Sequence, residues 1–414
     1  MKVLWLIANN GLAHWKIRKE FEKVIGKDNV VFYCKPLPHS WAKPVDPQGM
    51  AFYPKTYGLI TKDHPTLEAV KEEQPDIVMS EGFYGMKDIN VPRAKIMTDI
   101  HGVWMANKKW ALTGQVDMIL TRCYNGGIGY RIKNELGCVA GFLPLSTSSV
   151  LFHNLDLERI NDVYLSGAYN GKYPLRFRMI YHLLPYYENR IMRIPVNKQF
   201  TVEGIKYFRH KGKAYLSQYV HALNTSKILA FSAGVPTFKS SVQKFFEGLG
   251  CEILVMSDMP YDWKALRFKP NENMVKIDSQ NFLENFQYYL ENDGERMKIA
   301  RAGRELFLKY HTNEERSKQL IAQFEEMINA KNEGRPFNSR NVKGEAGRML
   351  RILEEDEEDF NRDNLINRCM DKGRSEWKSW SKQVNSLYVE VWKGSLSIEE
   401  WERTVKLLAE GNKK

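Results

Sequence analysis

A chain of 414 residues, 43% hydrophobic and 27% charged, has the composition of an ordinary globular protein and the length for two or three domains with real cores. No apolar run reaches the roughly 18 residues of a membrane span, and the opening "MKVLWLIANNGLAHW" has no small-residue cleavage site, so it reads as a first strand and not as a signal peptide. The 61 Lys and Arg against 50 Asp and Glu leave a formal net charge of +11, which suits an anionic partner such as a nucleotide, a nucleic acid or a membrane surface. Cys34, Cys123, Cys138, Cys251 and Cys369 are odd in number, scattered and without a CxxC pair. That pattern argues against a disulfide framework and against a structural metal, and a reducing cytoplasm is the expected setting.

The first part alternates strand and helix. "KVLWLIA" (2–8) has the continuous apolar character of a buried strand, and "WKIRKEFEKVIG" (15–26) has helical spacing closed by Gly26. "NVVFYCK" (29–35) follows as a strand, "TLEAVKEEQ" (66–74) as a helix and "PDIVMSEG" (75–82) as a strand running into a turn. "RAKIMTDIHG" (93–102) and "QVDMILTRC" (115–123) continue the series, and the glycine-rich "YNGGIGY" (124–130) reads as a loop. Such alternation predicts a parallel, doubly wound sheet. "GFLPLSTSSVLFHN" (141–154), with its proline and Ser/Thr cluster, reads as a linker.

The alternation then restarts. "DVYLSG" (162–167) is a strand ending at a glycine, and "YPLRFRMIYHLL" (173–184) is a helix with Pro174 in its first turn. A strand at 206–212, a helix at 215–226, a strand at 227–234, a helix over about 241–249 and a strand at 252–257 come next, before amphipathic helices over 279–293, 294–311 and 312–330. The sequence therefore predicts an α/β protein of two Rossmann-like domains facing across a cleft. They are an amino-terminal domain over 1–148 and a carboxyl-terminal domain over 149–312. Residues 313–330 form a closing helix that packs back on the first domain. Residues 331–414, with the acidic run at 354–363 and Trp377, Trp380, Trp392 and Trp401, read as a small helical appendage.

Open α/β sheets bind ligands at the carboxyl ends of their strands, so the residues that matter are those the alternation delivers there. The strand at 227–234 leads to a helix start near Ser241, where free backbone N–H groups and the helix dipole favour a phosphate. Ser240, Lys244 and Glu247 fall at i, i+4 and i+7, on one helical face. A hydroxyl, a cation and a carboxylate so spaced match a nucleotide, with phosphate near the helix start and ribose hydroxyls on Glu247; a solvated Lys–Glu pair has the same spacing. Gly167 admits close backbone approach to a ligand, and Arg176 or Arg178 in the next helical turns is placed to neutralise a diphosphate. In the first half, Asp99 and His101 lie just beyond a strand's carboxyl end and are candidates to take an acceptor's proton. Gly11, in "NNGLAH", is the other loop at that edge. No D-x-D, HExxH, Walker A or serine-elbow motif occurs.

"KFFEGLGCEILVMSD" (244–258) and the run from Asn273 to Thr312 resemble the carboxyl-terminal domain of glycosyltransferases of the two-domain GT-B type. "LNTSKI" (223–228) and "DVYLSGAYNGKYPLR" (162–176) extend the likeness. The nearest resemblance is to the CgeB (spore-maturation protein) group, related to family 4 transferases, and it covers about 162–322. In that pattern an Arg-x-Phe-Glu-Ala helix precedes a small-residue turn and a strand. The first half resembles the group in layout and in "LPLSTSSVLF".

The resemblance implies a metal-independent glycosyltransferase, hexosyl- or pentosyl-, using a UDP- or GDP-type sugar nucleotide as co-substrate and no tightly bound cofactor. It puts Glu247 on the donor ribose, with Lys244 where arginine is usual, and favours Arg176 over Arg178; Ser240, Ser241 and Gly167 complete the expected donor site. Lys239 stands eight positions before Glu247, where family 4 relatives often carry a second Glu near the transferred sugar, and this departure bears on sugar recognition. The acceptor is open between polysaccharide, lipid, protein and, as a minority reading, nucleic acid. A nucleotide-sugar epimerase of the same fold and a non-enzymatic binding protein with a degenerate donor site are the alternatives.

Overall fold

The computed structural model describes residues 1–7, 12–35, 58–97, 100–122, 124, 127–167, 173–183, 198–202, 204–209, 216–234 and 239–358, with three helical residues at 400, 403 and 404. The chain divides into two compact units, Met1–Ser148 with Tyr310–Asn361 and Ser149–Lys309 with Arg362–Lys414.

The first unit begins β1 (Val3–Ile7), α1 (Leu12–Ile25), β2 (Val30–Cys34), β3 (Gly58–Leu59), α2 (Thr66–Glu73) and β4 (Ile77–Ser80). It continues with β5 (Arg93–Met97), α3 (Ile100–Leu112), β6 (Met118–Thr121), α4 (Ile128–Leu136) and β7 (Val139–Phe142). The seven strands are parallel, in the order β3-β2-β1-β4-β5-β6-β7. All five residues of β1 are buried, as expected of a strand covered by helices on both faces. Side chains alternate between the faces: Val3, Trp5 and Ile7 join Phe21 and Phe32 in one core, whereas Leu4 and Leu6 join Val78 and Tyr84 in the other.

The second unit contains β8 (Asn161–Leu165), α5 (Pro174–Leu183), β9 (Lys198–Val202), β10 (Ile205–Arg209), α6 (Leu216–Asn224) and β11 (Ser226–Ala230). After these come α7 (Gln243–Gly250), β12 (Leu254–Ser257), β13 (Val275–Lys276), α8 (Phe282–Glu291) and α9 (Asp293–Tyr310). Its sheet runs β13-β12-β11-β8-β10-β9, parallel except for the β9–β10 hairpin. The chain leaves β8 to one side and returns to its other side as β11, so the topological switch point lies between those two strands.

The chain then goes back to the first unit as α10 (Asn313–Asn332) and α11 (Gly344–Glu358). Thr312 caps α10, its side chain accepting from the Glu315 amide at 3.2 Å. Leu320, Phe324 and Met327 of α10 enter the core that holds Trp5 and Phe21. α11 packs on α10, α4 and β7. The tryptophans from 377 to 401 lie outside the described residues.

Several elements differ from the sequence reading. The strand expected over 93–102 ends at Met97, and a helix occupies 100–112. The expected loop at 124–130 contains the start of α4, entered through Gly127 at φ +80°. The first two residues of the expected linker complete β7, and β9 was not anticipated at all.

Candidate functional site

The loops and helix starts at the carboxyl edge of the second sheet bring most of the expected donor residues together. Gly167 follows β8 at φ +108°, a backbone conformation that side chains rarely adopt. A Cβ there would lie 2.6 Å from Arg176 Cζ, so the missing side chain makes room for the guanidinium. Arg176, third residue of α5, is buried; it donates from Nη2 to the Ser232 carbonyl at 2.9 Å and stacks 3.7 Å from the Tyr173 ring centroid. A cation is thus fixed across the ends of β8 and β11, at the switch point.

The helix that carries Glu247 starts later than its spacing suggested. α7 begins at Gln243 with Val242 as its cap residue, so Ser240 and Ser241 lie on the non-helical segment ahead of it. Both serines are buried, and the Ser241 hydroxyl is spent on Asp262 Oδ2 at 2.7 Å. Lys244 and Glu247 remain one turn apart on α7, both partly exposed. Burial pushes the Glu247 carboxyl above the usual range, against the pull of Lys244 and of the hydroxyl of Tyr219, which donates to Oε2 at 2.7 Å. Burial also pushes the Lys244 ammonium down; Glu247 opposes this and Arg176 adds to it. A carboxylate and two cations therefore share one poorly solvated neighbourhood, an arrangement typical of functional sites.

Lys239, on the segment ahead of α7, has its Nζ 3.5 Å from Asp258 Oδ2. Asp258, just past β12, is buried and accepts from the Ala233 amide at 2.6 Å and from Ser257 Oγ at 3.2 Å. Lys227, at the opposite end of β11, pairs with Asp162 at 3.0 Å and belongs to the scaffold.

Gly11 and Asp99 lie outside the described residues. His101 is the second residue of α3, its side chain likewise outside the description. Sequence reasoning missed Tyr219, which belongs to the first turns of α6. The strand–helix alternation, which puts the start of each helix at the carboxyl edge, was the only available signal for it. Among the described residues no cluster of three or more His, Cys, Asp or Glu could hold a metal ion, and no helix is long and apolar enough to cross a membrane.

Residues 187–322 match a family model described as glycosyl transferase-like. No curated protein matches the chain. A glycosyltransferase from Rickettsia africae ESF-5 is similar in structure, with TM-score 0.53 and 12% identity over 79% of this chain and 98% of that one. An alpha-glucosyltransferase in complex with UDP and a 13-mer DNA gives 0.53 and 10%, covering 78% and 100%. Anabaena Alr3699/HepE in complex with UDP-glucose gives 0.50 and 10%, covering 78% and 98%. At these identities the likeness is one of fold: the chain has the two-domain α/β architecture of GT-B glycosyltransferases.

Proposed function

We propose that the protein is a nucleotide-sugar-dependent glycosyltransferase, with its donor held at the carboxyl edge of the second sheet. The observation that carries this reading is the grouping of Glu247, Lys244, Arg176 and Gly167 at the switch point of that sheet. Glu247 accepts the ribose hydroxyls, Gly167 lets the diphosphate approach the backbone, and Arg176 and Lys244 oppose its charge. When the bond from the sugar's anomeric carbon to the diphosphate oxygen breaks, the electron pair leaves with the nucleoside diphosphate. Fixed cations there stabilise the developing charge without reorganising, and they take the part a metal plays in other transferases. The donor is a UDP- or GDP-type sugar; UDP is present in complexes of two similar proteins, Anabaena Alr3699/HepE and the DNA-bound alpha-glucosyltransferase. Lys239, paired with Asp258, stands where the family 4 transferases that the sequence resembles often carry a second Glu, a departure that bears on how the sugar is recognised.

Asp99 and His101 are the candidates for the acceptor's proton, and Gly11 for the acceptor loop. The acceptor is a polysaccharide, lipid or protein; a net charge of +11, with a DNA-bound glucosyltransferase among the similar structures, keeps nucleic acid in the test set. Product analysis without acceptor separates this reading from an epimerase, since only the epimerase forms a new sugar nucleotide.

Thermal unfolding of the full chain against nucleoside diphosphates and sugar nucleotides tests the donor assignment. A ligand at 100 times its Kd adds about 2.7 kcal/mol, so one selective upward shift is expected, lost in Glu247→Ala. No shift with any nucleotide, or the same shift in the variant, would overturn it.

A further inference from the structure

The Glu247 carboxylate is engaged by the protein before any ligand arrives. Tyr219 donates its hydroxyl hydrogen to Oε2 at 2.7 Å, and the Ser166 side chain hydrogen-bonds the same Tyr219 oxygen. Ser166 immediately precedes Gly167. The Tyr219 ring is fixed from two sides, by Phe152 at 6.1 Å and 72° and by Tyr164 at 6.1 Å and 52°. A phenol so held cannot rotate without losing ring contacts and both hydrogen bonds. A carboxylate has about four lone-pair sites, of which Tyr219 takes one, leaving Oε1 and part of Oε2 for a vicinal diol.

The geometry points to Tyr219 as a positioning residue for the donor: its hydroxyl holds the Glu247 carboxylate in the orientation that receives the ribose diol, and Ser166 ties that orientation to the glycine turn where the diphosphate lies. This rests on the donor-site reading above. Hydrogen bonds linked in series in a poorly solvated site reinforce one another, so removing the middle member disturbs ribose recognition without touching the nucleotide. A merely structural Tyr219, one that satisfies a poorly solvated carboxylate and nothing more, would leave ribose discrimination unchanged.

The charged and titratable groups around Glu247 are Lys244 on its own helix, Tyr219 on α6, Tyr164 on β8 through Tyr219, Arg176 on α5 through Lys244, and Cys251 at the end of α7. Tyr219 favours the charged carboxylate. Its loss raises the pH at which the carboxylate protonates and the diol loses its acceptor.

The test uses the full chain and titration calorimetry with UDP, GDP, CDP and ADP, each beside its 2′-deoxy form. Wild type is expected to favour one ribonucleotide over its deoxy form by roughly tenfold or more, the value of a hydrogen bond to a charged group. Glu247→Gln abolishes that preference, Tyr219→Phe reduces it to less than about threefold and Ser166→Ala gives an intermediate loss. Ribonucleotide affinity falls as pH is lowered through the Glu247 titration, and the inflection lies at higher pH in Tyr219→Phe. Apo unfolding midpoints establish that each variant is folded, and Ser166→Ala carries the test if Tyr219→Phe is not. Full discrimination and a wild-type pH profile in the Tyr219→Phe protein, or in Ser166→Ala where that variant stands in, with discrimination lost in Glu247→Gln, would overturn the role of Tyr219 and leave the donor site standing. Full discrimination in Glu247→Gln, or binding of none of the four nucleotides, would remove both.

Discussion

Lys95 shows what one buried charge demands of the first unit. Its side chain is 3% exposed, its Nζ donates to the Gly82 carbonyl at 2.9 Å, and it lies 4.1 Å from the Phe83 ring centroid and 5.2 Å from that of Trp110. Burial lowers its pKa to about 8 from 10.5, with Glu81 opposing the shift. Between those values the unfolded chain keeps a proton that the folded protein has released, so stability rises with pH across that window and the penalty is present in full below it. Lys95→Met should therefore stabilise the unit at neutral pH by about 1–2 kcal/mol, part of the desolvation cost being offset by the ring contacts. Denaturant unfolding from neutral to alkaline pH checks this: the two proteins should converge toward the alkaline end, and a constant difference would contradict the argument.

Gly167 makes a second prediction at this scale. Gly204 also has positive φ, +80°, but a Cβ there meets nothing within 4 Å. Alanine at either position carries a backbone cost of about 1 kcal/mol. Gly167→Ala adds the collision with Arg176 and should cost about 1–3 kcal/mol more. The double variant Gly167→Ala/Arg176→Ala should cost less than the sum of its singles, as a double-mutant cycle would show.

At the scale of elements, the terminal strand of the first sheet is closed by a side chain. Among the described residues β7 has no strand beyond it, yet the Gln323 amide accepts from the Phe142 N–H at 3.0 Å and donates to the Phe142 carbonyl at 2.9 Å. One glutamine thus stands in for a missing strand, and Gly141 leaves room for it: a Cβ there would lie 3.1 Å from Gln323 Oε1. Gln323→Leu strips two buried backbone groups of their partners and should cost about 2–4 kcal/mol. Amide exchange at Phe142 reports it directly, and unchanged protection there would refute it.

Legibility followed the same physics. α8, α9 and α10 could be read to within about three residues because their apolar faces recur at helical spacing, and α10 also opens on a capping threonine, Thr312. α3 was hidden because its "IHGVWMANKKWAL" begins on the residues that extend a strand pattern, and α4 because glycines precede it. Glu247 could be found because it follows Lys244 by one turn on a helix that starts at the carboxyl edge of the sheet. Tyr219 could not, since an aromatic on a helix is ordinarily core, and only the strand order sets it against a carboxylate 28 residues further on.

At the scale of the whole molecule, the chain completes its first unit only after building the second. Leu320, Phe324 and Met327 belong to the core around Trp5 and Phe21. A chain ending at residue 309 should consequently leave α1 and the β7 edge uncovered, and the first unit should lose its cooperative unfolding transition while the full chain keeps it. The donor reading concerns the second unit, where the residues that match the glycosyl transferase-like model include Glu247 and Lys244. Titration calorimetry of the full chain with UDP, GDP and their sugar nucleotides, wild type beside Glu247→Ala, tests that reading most directly. One nucleotide should bind selectively to wild type and at least about tenfold more weakly to the variant, with the apo unfolding midpoint retained. Equal affinity in the two proteins, or no nucleotide bound by wild type, would contradict it.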